Sequence, residues 1–347
     1  MATTYGTSIN NTFSAPQKST VMTIDGLGGV DTLSFDSSDA PSISKFSLAM
    51  SGTQVIVSVI SGASYWLYTL NNVEVVKFKD GTVYLGSSGA DTFTGDTTTN
   101  FYLVDNTGDT ISEASGGGTD SVYVAIADSG YSYTLPTNVE NAAAVSSVAL
   151  SLQGNVSSNT LTGNDYANTL LGLSGADTLV GNGGSDILTG GSDADKMTGG
   201  SGSDTFQFSA GDSGQSTSYD SILDLAKGAV GTGDKIDFAS TMSIGGSASV
   251  ASSSQAMIDQ KTAIATFAKG SGTTLADALA DIGARFSAST DTAGEFTFFK
   301  VNNKGNYFIF ISDGVSGVGS NDVVVELVGV TSVKSVNLTN GDLTITG

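Results

Sequence analysis

The sequence predicts a mostly β fold: a parallel β-solenoid flanked by an N-terminal β-domain and a C-terminal β-rich domain with one or two helices. Three observations predict it. A nine-residue unit recurs six times without interruption from Gly154 to Gln207. The chain holds 45 glycines and only 3 prolines in 347 residues, roughly twice the usual glycine share of about 7%, which suits a fold of many tight turns. Outside the repeat, apolar residues alternate with polar ones between Ser-Gly, Asn-Asn and Asp-Gly pairs, the pattern of short strands joined by turns.

The six blocks read GNVSSNTLT, GNDYANTLL, GLSGADTLV, GNGGSDILT, GGSDADKMT and GGSGSDTFQ. Glycine opens every block. The sixth position is Asn159, Asn168, Asp177, Asp186, Asp195 and Asp204, and the eighth is Leu161, Leu170, Leu179, Leu188, Met197 and Phe206. Gly, Asn, Ser and Asp in the first six positions supply positive φ and side-chain-to-backbone bonds, so this half forms a turn. The last three positions are too short for a helix and carry one large apolar residue. They form a short strand whose middle side chain points inward. Two blocks make one coil with a turn on each side, and each turn lies over the turn eighteen residues along.

That stacking brings Asp177 near Asp195 and Asp186 near Asp204. Carboxylates aligned at strand spacing repel unless a cation lies between them. Together with turn carbonyls, in blocks opened by Gly172, Gly181, Gly190 and Gly199, they make a flexible all-oxygen cage. Such a cage suits Ca²⁺ better than Zn²⁺ or Mg²⁺, and several ions are expected. Asn159 and Asn168 would give weaker sites with one neutral ligand each. Asp193 replaces glycine at the fourth position of its block and is expected to strain that turn. A plain solenoid using Asp only as a turn residue is the alternative.

These blocks resemble the RTX (repeats-in-toxin) calcium nonapeptide GGxGxDxUx, with U large and apolar. The resemblance implies a calcium β-roll in a protein exported from a Gram-negative cell by type I secretion. Residues 86–210 form the roll region on this reading, with the regular nonapeptides at 154–207. GSSGADTFTG, with Asp91 in the acid position, YLVDNTGDTISEASGGGTDSV and SYTLPTNVENAAA resemble the looser units that precede such rolls.

Residues 1–85 read as a small β-domain with one isolated block, GLGGVDTLS, in which Asp31 holds the acid position. Its phrase NNVEVVKFKDGTVYL resembles segments flanking RTX rolls. Trp66 and its neighbouring tyrosines read as packing residues rather than a sugar platform. Residues 211–347 read as an α+β domain. GDKIDF (233–238) resembles the close of a roll. TTLADALADIGARF puts Leu275, Leu279, Ile282 and Phe286 on one helix face, and 256–268 is expected to form a second helix. FTFFKV, GNYFIFIS, DVVVELVGV and LTITG read as strands. FIFISDG followed by VVVELVGV resembles the C-terminal regions of type I secreted surface-layer proteins, which implies an uncleaved secretion signal within 211–347.

Composition narrows the function. Acidic residues outnumber basic ones 34 to 13, for a formal charge of −21. Nucleic acid and anionic membrane surfaces are therefore poor partners, and metal cations good ones. There is no cysteine and no histidine, which excludes disulfides, thiolate sites and histidine acid–base chemistry. MATTYGTSIN has neither the basic nor the apolar region of a cleaved signal, and no apolar run reaches the ~20 residues of a membrane span. The expected function is a non-enzymatic, calcium-binding structural protein of the cell surface: a layer, fibre or biofilm-matrix subunit. Its expected partners are its own copies, the type I secretion apparatus and a cell-surface glycan or anchor. An RTX adhesin or ligand-binding module is the alternative, and a hydrolase using paired carboxylates a more distant one.

Overall fold

The structure is a computed structural model. It describes residues 64–212, except 117, and outside that span the segments 2–7, 11–14, 20–27, 30–35, 46–51, 54–61, 219–227, 233–238, 243–244, 257–259, 264–266, 275, 278–279, 295–301, 306–312, 322–330, 332–333, 335–339 and 342–346. The described chain is almost entirely β and divides into two compact units. One comprises Met1–Tyr131 with Leu135–Val148, the other Ser132–Thr134 with Ala149–Gly347.

In the first unit a five-stranded sheet runs in the order Ala2–Tyr5, Thr20–Asp25, Ser64–Asn71, Gln54–Ser61, Phe46–Ser51. Gln54–Ser61 pairs antiparallel with Phe46–Ser51 on one side and with Ser64–Asn71 on the other. Beside this sheet the unit holds coils of its own. Parallel pairing joins Thr12–Ser14 to Thr32–Ser34 and Thr32–Ser34 to Val75–Phe78. It also joins Thr99–Val104 to Ser121–Val124 and Ser121–Val124 to Asn141–Ala144. The register steps by twenty residues from Phe101 to Ser121 to Asn141. The core includes Ile24, Leu33, Val57, Tyr68, Leu70, Val76 and Leu103. Phe35 stacks on Phe78 at 5.0 Å and meets Tyr68 edge-on at 5.8 Å. Trp66 lies on the strand Ser64–Asn71, in register with Thr20 and Val59; its side chain lies outside the described residues.

In the second unit the nonapeptides behave as their period requires. Alternate blocks enter alternate sheets. Ser151–Gln153, Thr169–Ser174, Ile187–Ser192 and Thr205–Phe208 pair in parallel in one, and Thr160–Thr162, Thr178–Gly183 and Lys196–Ser201 in the other. Pairs such as Leu170↔Leu188 and Leu179↔Met197 fix an eighteen-residue register. The strands outrun the expected three residues: four of them take six, running through the opening glycine of the next block. Leu152, Leu161, Leu170, Leu179, Leu188, Met197 and Phe206 are at most 1% exposed. Each such side chain contributes on the order of 1.5–3 kcal/mol by leaving water.

The roll does not stop at Gln207. Asp220–Ile222 pairs in parallel with Lys196–Ser201, and Lys235–Phe238 with Thr205–Phe208, so GDKIDF does extend the roll. Beyond them, Val323–Leu327, Tyr307–Ile311 and Glu295–Lys300 continue one sheet, and Asp342–Thr346 and Ser335–Thr339 the other. Leu275, Ala278 and Leu279 are helical and buried against Phe299, Phe308 and Val324; Ile282 and Phe286 lie outside the described residues. The second expected helix is corrected. Within 256–268 the chain forms an antiparallel pair, Met257–Asp259 with Ile264–Thr266, and Ile264 registers with Phe298. Ile and Thr at those positions take strand geometry readily when an apolar neighbouring strand is present.

Candidate metal site

Each repeat turn delivers its sixth residue to the same place, just before a strand that buries its second side chain. The main-chain N–H at that position donates to the sixth side chain of the next coil. Asn159 N–H donates to Asp177 Oδ1 at 2.6 Å and Asp177 N–H to Asp195 Oδ1 at 2.8 Å. In the facing row, Asn168 N–H donates to Asp186 Oδ1 at 2.7 Å and Asp186 N–H to Asp204 Oδ1 at 2.8 Å. These bonds occupy one carboxylate oxygen of each residue and align the acids in two columns.

The second oxygen of each acid has no such partner. Oδ2 of Asp177, Asp186, Asp195 and Asp204 is buried and accepts no hydrogen bond, and each of these residues is at most 1% exposed. A side chain on the opening glycine would fill the space these oxygens face. A Cβ built on Gly172 would overlap Asp177 Oδ2 and the carbonyl oxygen of Gly190, and one on Gly181 would overlap Asp186 Oδ2 and Gly199 O. Gly190 and Gly199 stand in the same relation to Asp195 and Asp204. Carboxylate and carbonyl oxygens thus confront one another in a buried space with no donor between them. Such an arrangement is costly unless a cation shares the charge.

Burial acts on the acids as expected. It pushes Asp177 and Asp195 up to about 7, against the opposing pull of the main-chain bond each accepts. Asp186 and Asp204 are raised from the same cause. Main-chain geometry opens these turns. The second and fourth residues take positive φ: Leu173 and Gly175, Asn182 and Gly184, Gly191 and Asp193, Gly200 and Gly202. Asp193, at φ 83°, is the non-glycine expected to strain its turn, and its Oδ2 accepts Gly175 N–H at 3.3 Å.

The other expected residues divide. Asp31 reproduces the arrangement: it is fully buried, its Oδ2 has no donor, and a Cβ on Gly26 would overlap that oxygen and Asn72 O. Asp91 does not, because its Oδ2 accepts Ser87 N–H at 2.7 Å and Ser87 Oγ at 3.1 Å. Asn159 Oδ1 accepts Asn155 N–H at 2.7 Å. Asn168 donates through Nδ2 to Asn164 O at 3.2 Å and to Tyr166 O.

The columns also hold residues that the nine-residue count missed. Asp195 N–H donates to Asp220 Oδ1 and Asp204 N–H to Asp234 Oδ1. In the first unit Asn11 N–H donates to Asp31, Asp31 N–H to Glu74, Asn100 N–H to Asp120 and Asp120 N–H to Glu140. Asp120 is pushed up to about 6 by burial, with Glu113 and Glu140 adding to the shift. The signal was an acid or amide two residues before a buried apolar residue, as in Asp220-Ser-Ile222 and Asp120-Ser-Val122, at spacings other than nine. Among the described residues no three acidic side chains converge closely enough to hold a metal by themselves. An ion here would take acidic groups from stacked coils together with main-chain carbonyls, the oxygen-only set that calcium prefers.

A family model of the RTX calcium-binding nonapeptide repeat, built of four copies, matches residues 153–188 and 171–206. The chain carries an RTX calcium-binding repeat array. RTX nonapeptide repeats bind calcium. The RTX match spans the four turns ending at Asp177, Asp186, Asp195 and Asp204, whose acids each have an oxygen without a donor. It marks the chain as a calcium-binding protein of extracellular type. The RTX β-roll is itself a structural module. Among the described residues no helix is long and apolar enough to cross a membrane. A search of curated proteins gave no match to the chain.

Proposed function

We propose that this chain is a secreted, non-enzymatic structural protein that folds on extracellular calcium and then assembles with copies of itself into a layer, fibre or matrix. The observation that carries the reading is the row of buried Asp Oδ2 atoms without donors, at Asp177, Asp186, Asp195 and Asp204, the first two sharing their space with the main-chain carbonyls of Gly190 and Gly199. We assign these four acids, the turns opened by Gly172, Gly181, Gly190 and Gly199, and the separate pair Gly26 and Asp31, as the places where ions are held. Without calcium the facing oxygens oppose closure of each turn, and ordering glycine-rich loops costs entropy. Calcium supplies the positive charge that lets stacked coils share these oxygens, so binding free energy becomes folding free energy.

Export in an unfolded state through a type I apparatus of a Gram-negative cell, directed by residues 211–347, fits a roll that waits for calcium. Self-association is supported by sheet edges: the eight-stranded sheet ends on Ser335–Thr339, and the first unit's sheet on Ala2–Tyr5 and Phe46–Ser51. Edges of this kind pair readily with other chains. A cell-surface glycan or anchor would complete the attachment. Electron microscopy of the purified chain at millimolar calcium tests assembly: ordered polymers that dissolve in chelator are expected, and monodisperse single particles at all calcium levels would overturn it.

A further inference from the structure

The turns of the roll fall into two classes, distinguished by what the sixth side chain does. In the turns 172–177, 181–186, 190–195 and 199–204 the second and fourth residues have positive φ and the acid keeps one oxygen without a donor. In the turns 154–159 and 163–168 neither the second nor the fourth residue has positive φ. There Asn155 Oδ1 accepts Ser157 N–H at 2.9 Å and Asn164 Oδ1 accepts Tyr166 N–H at 3.0 Å. The sixth residue then closes the turn itself. Asn159 Oδ1 takes Asn155 N–H, and the Asn168 amide is held at both ends: Oδ1 accepts Leu150 N–H at 3.3 Å, and Nδ2 donates to Asn164 O and Tyr166 O.

At Asn168 the substitution is positional, whereas Asn159 keeps its Oδ1 in that place, 2.6 Å from a Cβ built on Gly154, and satisfies it with Asn155 N–H. A Cβ built on Gly163 would lie 2.6 Å from Gly181 O and 2.8 Å from Asn168 Nδ2, whereas one built on Gly181 meets Gly199 O and Asp186 Oδ2. The amide nitrogen of Asn168 therefore stands where Asp186 places its donorless oxygen. A carbonyl facing N–H is satisfied; a carbonyl facing carboxylate is not. The first unit repeats the device. A Cβ on Gly6 would lie 2.5 Å from Gly26 O and 3.0 Å from Asn11 Nδ2, and that amide also donates to Asp31 Oδ1 at 2.8 Å. An acid alone does not open a turn, since Asp91 is closed by Ser87.

We propose that the turns ending at Asn159, Asn168 and Asp91 take no ion, and that their own side chains do what calcium does in the four open turns. This rests on the calcium reading above and narrows it: ion binding in the roll begins at Gly172, behind two coil halves that are already closed. The chain then contains its own metal-independent start for a metal-dependent stack.

The test counts calcium on the full chain by equilibrium dialysis and native mass spectrometry. Opening the second turn with Asp165→Gly, Tyr166→Gly and Asn168→Asp together should add one ion per chain. Asn168→Ala should leave the count unchanged. No added ion in the folded triple variant, or an ion lost from Asn168→Ala, overturns the inference while the calcium reading stands. If the triple variant does not fold, Asn168→Ala decides alone. A wild-type chain that binds no calcium overturns the calcium reading itself, and this inference with it.

Discussion

Asp186 and Asp165 sit twenty-one residues apart, at the sixth and third positions of their blocks, and only Asp186 is held in a column. Asp186 is 1% exposed with one oxygen lacking a donor, whereas Asp165 is exposed on the turn. Asp186→Ala should lower calcium affinity and cooperativity, and Asp165→Ala should leave both unchanged, in a calcium titration followed by circular dichroism. The glycines make a second residue-scale test. Gly181→Ala places a methyl group on Asp186 Oδ2 and Gly199 O; overpacking of this kind costs about 1–3 kcal/mol, beyond any ion lost. Gly89→Ala, whose nearest neighbour would be Ser87 Oγ at 3.5 Å, should stay within roughly 0.5 kcal/mol. Thermal melts in calcium would compare them.

At the scale of the element, the stack has a period of two blocks rather than one. Deleting 172–189 removes eighteen residues and leaves each remaining strand in its own sheet, because registers such as Leu170↔Leu188 step by eighteen. Deleting only 172–180 sends each later strand to the opposite sheet and misplaces Asp220–Ile222 and Lys235–Phe238, which continue the two sheets. The longer deletion should fold in calcium and melt cooperatively; the shorter should not. Spectroscopy of the two truncations in calcium separates them. Removing an inner rung by Leu179→Ala should cost about 2–5 kcal/mol in the same assay.

The elements also show what the sequence made legible. Gly at one, Asp at six and Leu at eight are each dictated by one local requirement, so the columns can be read without a structure. The continuation through Asp220 was not legible, and only GDKIDF signalled the one at Asp234, because the spacing between column acids departs from eighteen while the sheets keep their pairing. In the first unit, coils of about twenty residues accept Asn, Asp or Glu at the column position, so no single residue type marks them. Residues 256–268 carry Met257, Lys261 and Ile264 at helical spacing, but pairing of Ile264 with the strand Glu295–Lys300 decides otherwise. Local pattern there competes with a neighbouring strand that lies thirty-four residues away in register, and the tertiary partner prevails.

For the whole molecule, net charge of −21 and buried acids set the response to pH. In chelator, Asp177 and Asp195 sit near 7 when folded, above the ordinary aspartate value of about 3.9. The folded ion-free chain therefore holds more protons than the unfolded one. Its stability contribution from these groups is present at low pH and is lost as pH rises between about 4 and about 7. Acidifying the chelated chain from pH 8 to pH 5 should therefore recover part of the β signal and of the cooperative melt that chelation removes. With calcium present the same acidification should weaken binding, since protons and ions compete for one set of oxygens.

The most direct measurement is far-ultraviolet circular dichroism of the purified chain through a thermal melt, first with excess chelator at neutral pH and then after calcium is restored. Loss of β signal and of the cooperative melt in chelator, both recovered on adding calcium, is the predicted result. An identical spectrum and melting temperature with and without calcium would contradict the claim that stacked aspartates need a shared cation to fold.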